Sequence, residues 1–506
     1  MFHLSDRAKY RTLEMIPGVA VWSSFLIVIL LIFFRPLWAI YFIIVFDFYW
    51  MVRVIYIIFY TVVSYKKFHT ALGIDWMEKC RQQPNWERMY HMVFLPTYKE
   101  PLEVLRMTLT SLTAVDYPVR EKMIIVMCFE ERDTVNAHNY AAAVQQEFAG
   151  KFADMIVSFH PVGIEGEMPG KGANMAWAGR IAKKYVDERG IPYEDILVSA
   201  FDVDTCAHPK YFSYLTYQFL KSDRPLRQSY QPVPLFNNNI WEVPAIMRVV
   251  STSTTFWLMS EQLRPERLFT FASHSMSFRA LVDVDFWQND IVTDDSRIFL
   301  QCLMKYDGDY VVKPMYIPIS MDAVAGRNIW HGMENLYKQQ RRWAWGVEHF
   351  PYMVWFFAKN NKIALSKKLH YVWNLVEGMY SWATAPIIIF VLGYFPLRMA
   401  DDVVKSTVIA QNAPFVLQTI MTLAMVGLLV SAVLSVYLLP PKPVKYHGSK
   451  FAIMLLQWAL LPITMIAFGS IPATEAQTRL MLGKYLGFRV TDKIRSKSAE
   501  PAPQKA

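Results

Sequence analysis

Between about His69 and about Arg342 the chain holds no apolar run long enough to cross a bilayer, and on either side of that block such runs dominate. A fold that honours both facts is one water-soluble body set between membrane helices. Val19 to Phe34, closed by Arg35-Pro36, and Leu37 to Val63 read as an amino-terminal two-span hairpin, with Asp47 and Arg53 in the second run expected to pair with neighbouring spans or to snorkel. Val372–Phe395 and Ala413–Leu439 read as further spans. Pro462 and Pro472 interrupt or end Phe451–Ile471, so that run is expected to be a re-entrant or interfacial segment, leaving four full spans. At 54% hydrophobic and 19% charged residues, the chain is too apolar for a purely soluble enzyme and too polar for a protein made wholly of spans. Its basic residues collect beside the apolar runs, at Lys66-Lys67, Lys359/Lys362/Lys367/Lys368, Lys442/Lys445/Lys450 and Arg489/Lys493/Arg495/Lys497. That distribution fits the positive-inside rule and a lipid bilayer as partner, and it argues against nucleic acid. Four scattered cysteines, Cys80, Cys128, Cys206 and Cys302, show neither zinc spacing nor a disulfide framework. Reduced thiols put the hydrophilic block in the cytoplasm, on an inner (plasma) membrane protein of several passes. No cleavable signal peptide is expected, because Arg7, Lys9 and Arg11 lead into an apolar stretch without a small-residue cleavage site.

Inside the soluble block the pattern alternates. Met92–Leu95, Met123–Met127, Met155–Phe159 and Ile196–Phe201 read as strands, and Pro101–Val115, Asn139–Phe148 and Lys171–Arg189 as the helices between them. Such alternation predicts an α/β fold with a doubly wound, mostly parallel, Rossmann-like sheet and right-handed crossovers. The fourth strand runs out in Asp202-Val-Asp204, which sets two hard oxygen ligands at a carboxyl strand end, where open α/β sheets bind ligands. A helix cap or turn would account for the pair equally well in isolation. Beyond Asp204 the chain turns to longer, aromatic-rich segments with mixed strands expected.

Three further stretches carry chemistry. Leu95-Pro-Thr-Tyr-Lys-Glu100 joins the first strand to the first helix, where a doubly wound fold begins to enclose a nucleotide. Gly166-Glu-Met-Pro-Gly-Lys-Gly-Ala-Asn174 offers backbone N–H groups and Lys171 at a helix start, a phosphate site in type. It is not a Walker loop, since Glu165 stands where the first glycine belongs and Gly172 where Ser or Thr must follow the lysine. Thr293-Asp-Asp-Ser296 is either a helix cap or the source of a general base for an incoming hydroxyl. On a helix expected over Glu334–His349, Gln339, Arg342, Trp343 and Gly346 fall on one face. An interfacial amphipathic helix explains that face, and so does a platform for an acceptor sugar.

Asp202-x-Asp204, Thr293-Asp-Asp295 and Gln339-x-x-Arg342-Trp343, in that order and between membrane spans, closely resemble the membrane-embedded family 2 glycosyltransferases, among them cellulose, hyaluronan, chitin and poly-N-acetylglucosamine synthases. Phe488-Arg-Val-Thr-Asp-Lys493 adds a match to the Phe-x-Val-Thr-x-Lys gating segment of the cellulose synthases. The resemblance implies a GT-A domain and an inverting, metal-dependent hexosyl transfer from a nucleotide sugar, a UDP-sugar foremost. It implies that Pro96, Thr97, Tyr98, Glu100 and Glu130 contact the nucleotide, and that Lys171, Asp202, Asp204, Thr491 and Lys493 meet the diphosphate. Asp202 and Asp204 would hold Mg2+ or Mn2+, Asp295 would be the base, and Gln339, Arg342 and Trp343 would bind the acceptor. Three departures stand out: Cys128-Phe-Glu-Glu-Arg-Asp133 in place of the usual acidic pair, leaving Glu130 or Glu131 to recognise the nucleobase; Thr-Asp-Asp for Thr-Glu-Asp; and Phe271-Ala-Ser-His-Ser-Met276 for a Gly-Thr turn. The expected division is residues 1–68 as hairpin, 69–350 as catalytic domain ending in an interfacial helix, 351–484 as membrane and interfacial helices, and 485–506 as gating-like segment and disordered tail. A growing polysaccharide is the leading acceptor. Single-sugar transfer to a lipid-linked acceptor is the alternative, and a non-catalytic transporter or scaffold is the alternative of another class.

Overall fold

The computed structural model describes residues 5–441 and 449–487, so Thr491 and Lys493 lie outside the described residues. Among these, eight strands form one sheet in the order β3-β2-β1-β4-β7-β6-β8-β5. They are β1 Tyr90–Thr97, β2 Met123–Glu130, β3 Asp154–His160, β4 Ile196–Ala200, β5 Cys206–Ala207, β6 Gln228–Leu235, β7 His274–Ser277 and β8 Val311–Ser320. The first four are mutually parallel, as their alternation with helices requires. β7 then pairs antiparallel with β4, so the aromatic-rich second half continues the same sheet.

Period-two alternation sorts the side chains to the two faces. Val93, Leu95, Ile125 and Met127 enter one core with the helices Leu102–Thr113, Ala137–Glu147 and Tyr211–Leu220. Met92, Phe94, Ile124 and Val126 enter the other, against Met175, Ala178, Ala182 and Val186 of the helix Lys171–Arg189. Both faces are covered, which is why these strands read as continuous apolar runs. The Asp202 turn has an anchor on each side. β4 leads into it, and the two-residue β5 follows at once, pairing Cys206 with Ser320 and Ala207 with Ile319 of β8.

Among the described residues, four helices are long and apolar enough to cross a membrane: Asp6–Phe34, Pro36–Leu72, Val408–Tyr437 and Lys450–Met481. A fifth arises if Leu365–Phe390 and Leu392–Met399, bent by 41°, count as one span. The prolines do not break the last apolar run. Phe451–Ile471 lies within a helical stretch that continues to Met481, and the sharply bent segment is the earlier one. Pro462 stands in the first turn of Leu461–Met465, where its missing N–H costs nothing, and a π turn at Ile466–Ser470 carries the helix onward. Pro386 frees the carbonyl of Trp382 four residues before it, and the Ser470 hydroxyl donates to that oxygen at 2.9 Å. Gln477 Nε2 likewise donates to the Met379 carbonyl at 2.8 Å, so the two segments are stitched together. Arg53 pairs with Glu377 at 2.7 Å, as expected of a charge within a span. Asp47 is buried, and its Oδ1 has no hydrogen-bond partner among the described residues.

Candidate active site

A cavity of about 840 Å³ opens at the carboxyl ends of the parallel strands. Its walls include Pro96, Thr97, Tyr98, Glu100, Glu130, Lys171, Asp202, Asp204, Asp295, Gln339, Arg342 and Trp343, every sequence-derived site residue that the structure describes. Residues separated by up to 247 positions along the chain, Pro96 to Trp343, therefore face one space.

At its centre Lys171 Nζ donates to Asp202 Oδ1 at 2.6 Å and to Asp295 Oδ1 and Oδ2 at 2.7 and 3.0 Å. Two helices supply these groups by their amino termini: Lys171 begins one, and Asp294 begins the helix Asp294–Lys305 behind Thr293. Gly172 lets the two approach. A Cβ there would stand 2.6 Å from the Gln288 carbonyl and 3.0 Å from the Asp294 Cβ. The residue that rules out a Walker loop is thus the one that close packing demands. Burial pulls the Lys171 ammonium toward neutrality, but Asp202 and Asp295 outweigh it and hold its pKa above the usual lysine range. Asp294 is fully enclosed. Burial first, then Asp295 beside it, pushes its carboxyl well above the ordinary carboxylate range, and its Oδ2 lacks a hydrogen-bond partner among the described residues.

The Phe271–Met276 departure also finds its reason here. Ser273, in the left-handed region at φ 63°, sits under the Asp-x-Asp turn. Its Oγ accepts from the Asp202 N–H at 3.3 Å and lies 2.7 Å from the Thr205 hydroxyl. The next residue, His274, is buried, with Nδ1 3.9 Å from Asp295 Oδ1. Asp204 Oδ2 accepts from the Asp322 N–H at 3.1 Å, which orients that carboxylate against the far edge of the cleft. Sequence reasoning quoted Ser273 and His274 only as part of a departing turn, with no role of their own, and missed Asp322, which lies in no motif.

On the β1–β2 side, Glu100 Oε2 accepts from the Tyr98 N–H at 2.6 Å and closes the turn. Glu130, the last residue of β2, accepts from Arg132 NH2 at 2.8 Å, and the Arg132 guanidinium lies 3.9 Å from the centre of the Tyr98 ring. Glu131 is exposed and outside the cavity wall, so of the two glutamates only Glu130 faces the site. The glycine loop is tied down on two sides by Glu167, which meets His160 Nε2 at 2.8 Å and accepts from Asn289 Nδ2 at 2.8 Å.

Gln339, Arg342, Trp343 and Gly346 do share the cavity face. Their helix is Ile329–Ala344, capped by the Asn328 side chain, and it passes into a 3₁₀ turn at Trp345–Glu348 rather than running on to His349.

An open, mostly parallel sheet with Asp-x-Asp at a strand end, facing an acidic helix start and an aromatic, cationic helix across one cleft, is the architecture of a GT-A glycosyltransferase. The family model for glycosyl transferase family group 2 matches residues 197–471, more than half of the chain, and the chain belongs to that family. Solved structures with a similar fold include a mannosyltransferase, PcManGT, from Pyrobaculum calidifontis in complex with GDP-Man and Mn2+ (14% identity, TM-score 0.40, covering 75% of this chain and 99% of that one). Another is S. aureus TarS 1–349 (13%, 0.34, 69% and 91%), and a third is GalNAc-T7 with UDP, GalNAc and Mn2+ (8%, 0.34, 58% and 58%). No curated protein sequence matches the chain.

Proposed function

We propose that this glycosyltransferase is an inverting enzyme that extends a polysaccharide from a nucleotide-sugar donor, a UDP-sugar foremost, and passes the product along its own membrane helices. The observation that carries this reading is the reach of the cavity. Beyond Asp202 and Asp295 it continues past Trp257 and Trp382 to Pro386, Phe390, Ile420, Met425 and Phe468 on the membrane segments. Arg53, Glu261 and Arg267 also line it, with Arg267 pairing Glu261 at 3.0 Å. Aromatic faces interleaved with paired charges suit a chain of sugar rings, which presents apolar faces and hydroxyl edges. Residues 69–350 are the catalytic domain in this reading, turned to the cytoplasmic side of the inner membrane, where the donor is made.

In the transfer, Asp295 takes the proton of the acceptor hydroxyl as that oxygen attacks the anomeric carbon. The bond to the nucleoside diphosphate breaks on the opposite face, so an α-linked donor gives a β-linkage. Gln339, Arg342 and Trp343 hold the acceptor end in line, and Pro96, Thr97, Tyr98, Glu100 and Glu130 hold the nucleotide. Lys171 leaves Asp295 for the diphosphate as the donor enters. Among the described residues no group of three His, Cys, Asp or Glu side chains gathers as a metal cage. The donor set nonetheless fits an oxygen-seeking cation, for one ammonium already draws Asp202 and Asp295 together. Asp202 and Asp204 would hold Mg2+ or Mn2+, which when bound neutralises charge on the leaving diphosphate.

The purified protein is to be offered UDP-glucose, UDP-N-acetylglucosamine and GDP-mannose, with and without Mg2+ or Mn2+. Nucleoside diphosphate release is the readout, and product length is read on a gel. Release that vanishes in Asp295→Asn and Asp202→Ala, with a ladder of products, is the expected result. A single addition to lipid identifies the lipid-linked alternative, and release unchanged in both variants discards the site.

A further inference from the structure

Two consecutive residues just past the Gln339–Trp343 face reach back to the turn that carries Asp295. Thr293, the residue capping that helix, donates its hydroxyl to Glu348 Oε1. Trp345 Nε1 donates to the other oxygen, Glu348 Oε2, at 2.8 Å. Next door, His349 Nε2 lies 2.7 Å from the Ser296 hydroxyl. Arg297 Nε donates to His349 Nδ1 at 3.2 Å, which makes Nδ1 the acceptor and leaves the ring proton on Nε2, pointing at Ser296. His349 is buried. Arg297 is fixed in turn, by Gln288 Oε1 at 2.9 Å and by the Tyr352 ring, 3.9 Å from its guanidinium. Thus Thr293, Ser296 and Arg297 bracket Asp294 and Asp295, and all three are held by the chain segment that follows Trp343.

His349 lines the cavity beside Ser296, but both of its ring nitrogens are engaged, by Ser296 and Arg297. A carboxylate with both oxygens occupied by fixed donors is poorly placed to take a proton from substrate, and Glu348 is not on the cavity wall. Nor is it the only packing there, since Val292, just before the turn, and Trp345 belong to one apolar cluster. What the bonds do is set an angle: they fix how the first turn of the Asp294 helix is rotated relative to the Trp343 helix.

We infer that Glu348 and His349 are positioning residues for the transfer, clamping the Thr293–Ser296 turn to the end of the Gln339–Trp343 helix so that base and acceptor platform form one unit. The inference rests on the reading of Asp295 as base given above. In this arrangement the clamp acts on the reaction step and not on donor capture, because the donor-side residues Tyr98, Glu130 and Lys171 belong to other elements. A shift of about 1 Å between base and hydroxyl costs on the order of a hundredfold in rate.

The test uses the full-length protein in detergent and the panel member that turns over. Glu348→Gln keeps the shape and replaces one acceptor oxygen by a donor; Thr293→Val keeps the shape and removes the same bond from the other side. Each is expected to lower kcat about ten- to a hundredfold with donor KM within about threefold. The double variant is expected to be no slower than the slower single, since both cut one link. Multiplying losses in the double variant, or losses carried by donor KM with kcat intact, overturn the proposal. Should Glu348→Gln not accumulate as folded protein, Thr293→Val decides by its kcat alone. Asp295→Asn run alongside separates the two levels. If it still turns over, the assignment of the base has failed. If it is dead while Glu348→Gln and Thr293→Val run at full kcat, only the clamp has failed.

Discussion

Replacing Lys171 by Met removes an ammonium that bridges Asp202 and Asp295. At a separation of about 2.7 Å and an effective dielectric near 20, each pair is worth about 6 kcal/mol of gross attraction, most of it offset by the cost of drying the ammonium. Taking one partner from a buried pair costs about 3–5 kcal/mol because the remaining charge is stranded. Here the two aspartate side chains keep 28% and 24% exposure, so water relieves part of that burden. The lower end, about 3 kcal/mol of stability, is therefore expected in a chelating buffer. The variant also takes the ammonium from between two carboxylates, so Mn2+ alone, without donor, gains a site that the wild-type lysine defends. Thermal unfolding in detergent, with chelator and then with Mn2+ at about 100 times its dissociation constant, reads both effects. The variant should recover about 2.7 kcal/mol on adding the ion, and the wild type much less. A variant as stable as wild type in chelator, and equally indifferent to Mn2+, would refute the claim that Lys171 is the counter-ion of both aspartates.

Two further outcomes follow from the same site. Gly172→Ala drives a methyl group into the Gln288 carbonyl and the Asp294 Cβ, and because backbone cannot yield cheaply it should cost about 1–3 kcal/mol and lower kcat; an unchanged melting curve would contradict the packing. His160 is drawn down by burial but held above its usual range by Glu130 and Glu167. Its contribution is therefore complete below about pH 6.5 and fades as pH rises through the raised value. Hydrogen exchange in residues 163–170 should speed up from pH 6 to pH 8 beyond the intrinsic rate, and His160→Gln should abolish that excess.

What could be read from the chain alone was whatever local periodicity carries. β1 to β4 and the helix Lys171–Arg189 stood out because strands buried on both faces become unbroken apolar runs, and because Gly170 and Gly190 bracket the helix. The second half of the sheet was less legible. β7 is only four residues, His274–Ser277, two of them serines, and its place between β4 and β6 depends on partners far away in sequence. The motif residues were legible as types, and their gathering around one cavity was not. Lys171 reads as a phosphate ligand in a glycine loop; that it bridges Asp202 and Asp295, 31 and 124 positions later, is a tertiary fact. Glu348 and His349 fall past the motif, where the helix has tightened to 3₁₀ at Trp345. The prolines of the last apolar run read as breaks because a proline in a helical first turn looks, on paper, like a proline that breaks a helix.

The short strand Cys206–Ala207 has a consequence for how such an enzyme can move. Only Phe201 to Thr205 lie between the end of β4 and the first residue knitted to β8, with Ser273 bonded beneath them. So brief an arc, moored at both feet, has no slack to swing. Among the described residues, opening and shutting therefore falls to the glycine loop, the lysine or the helices opposite, sweeping past an aspartate pair that stays still as their fixed point of reference.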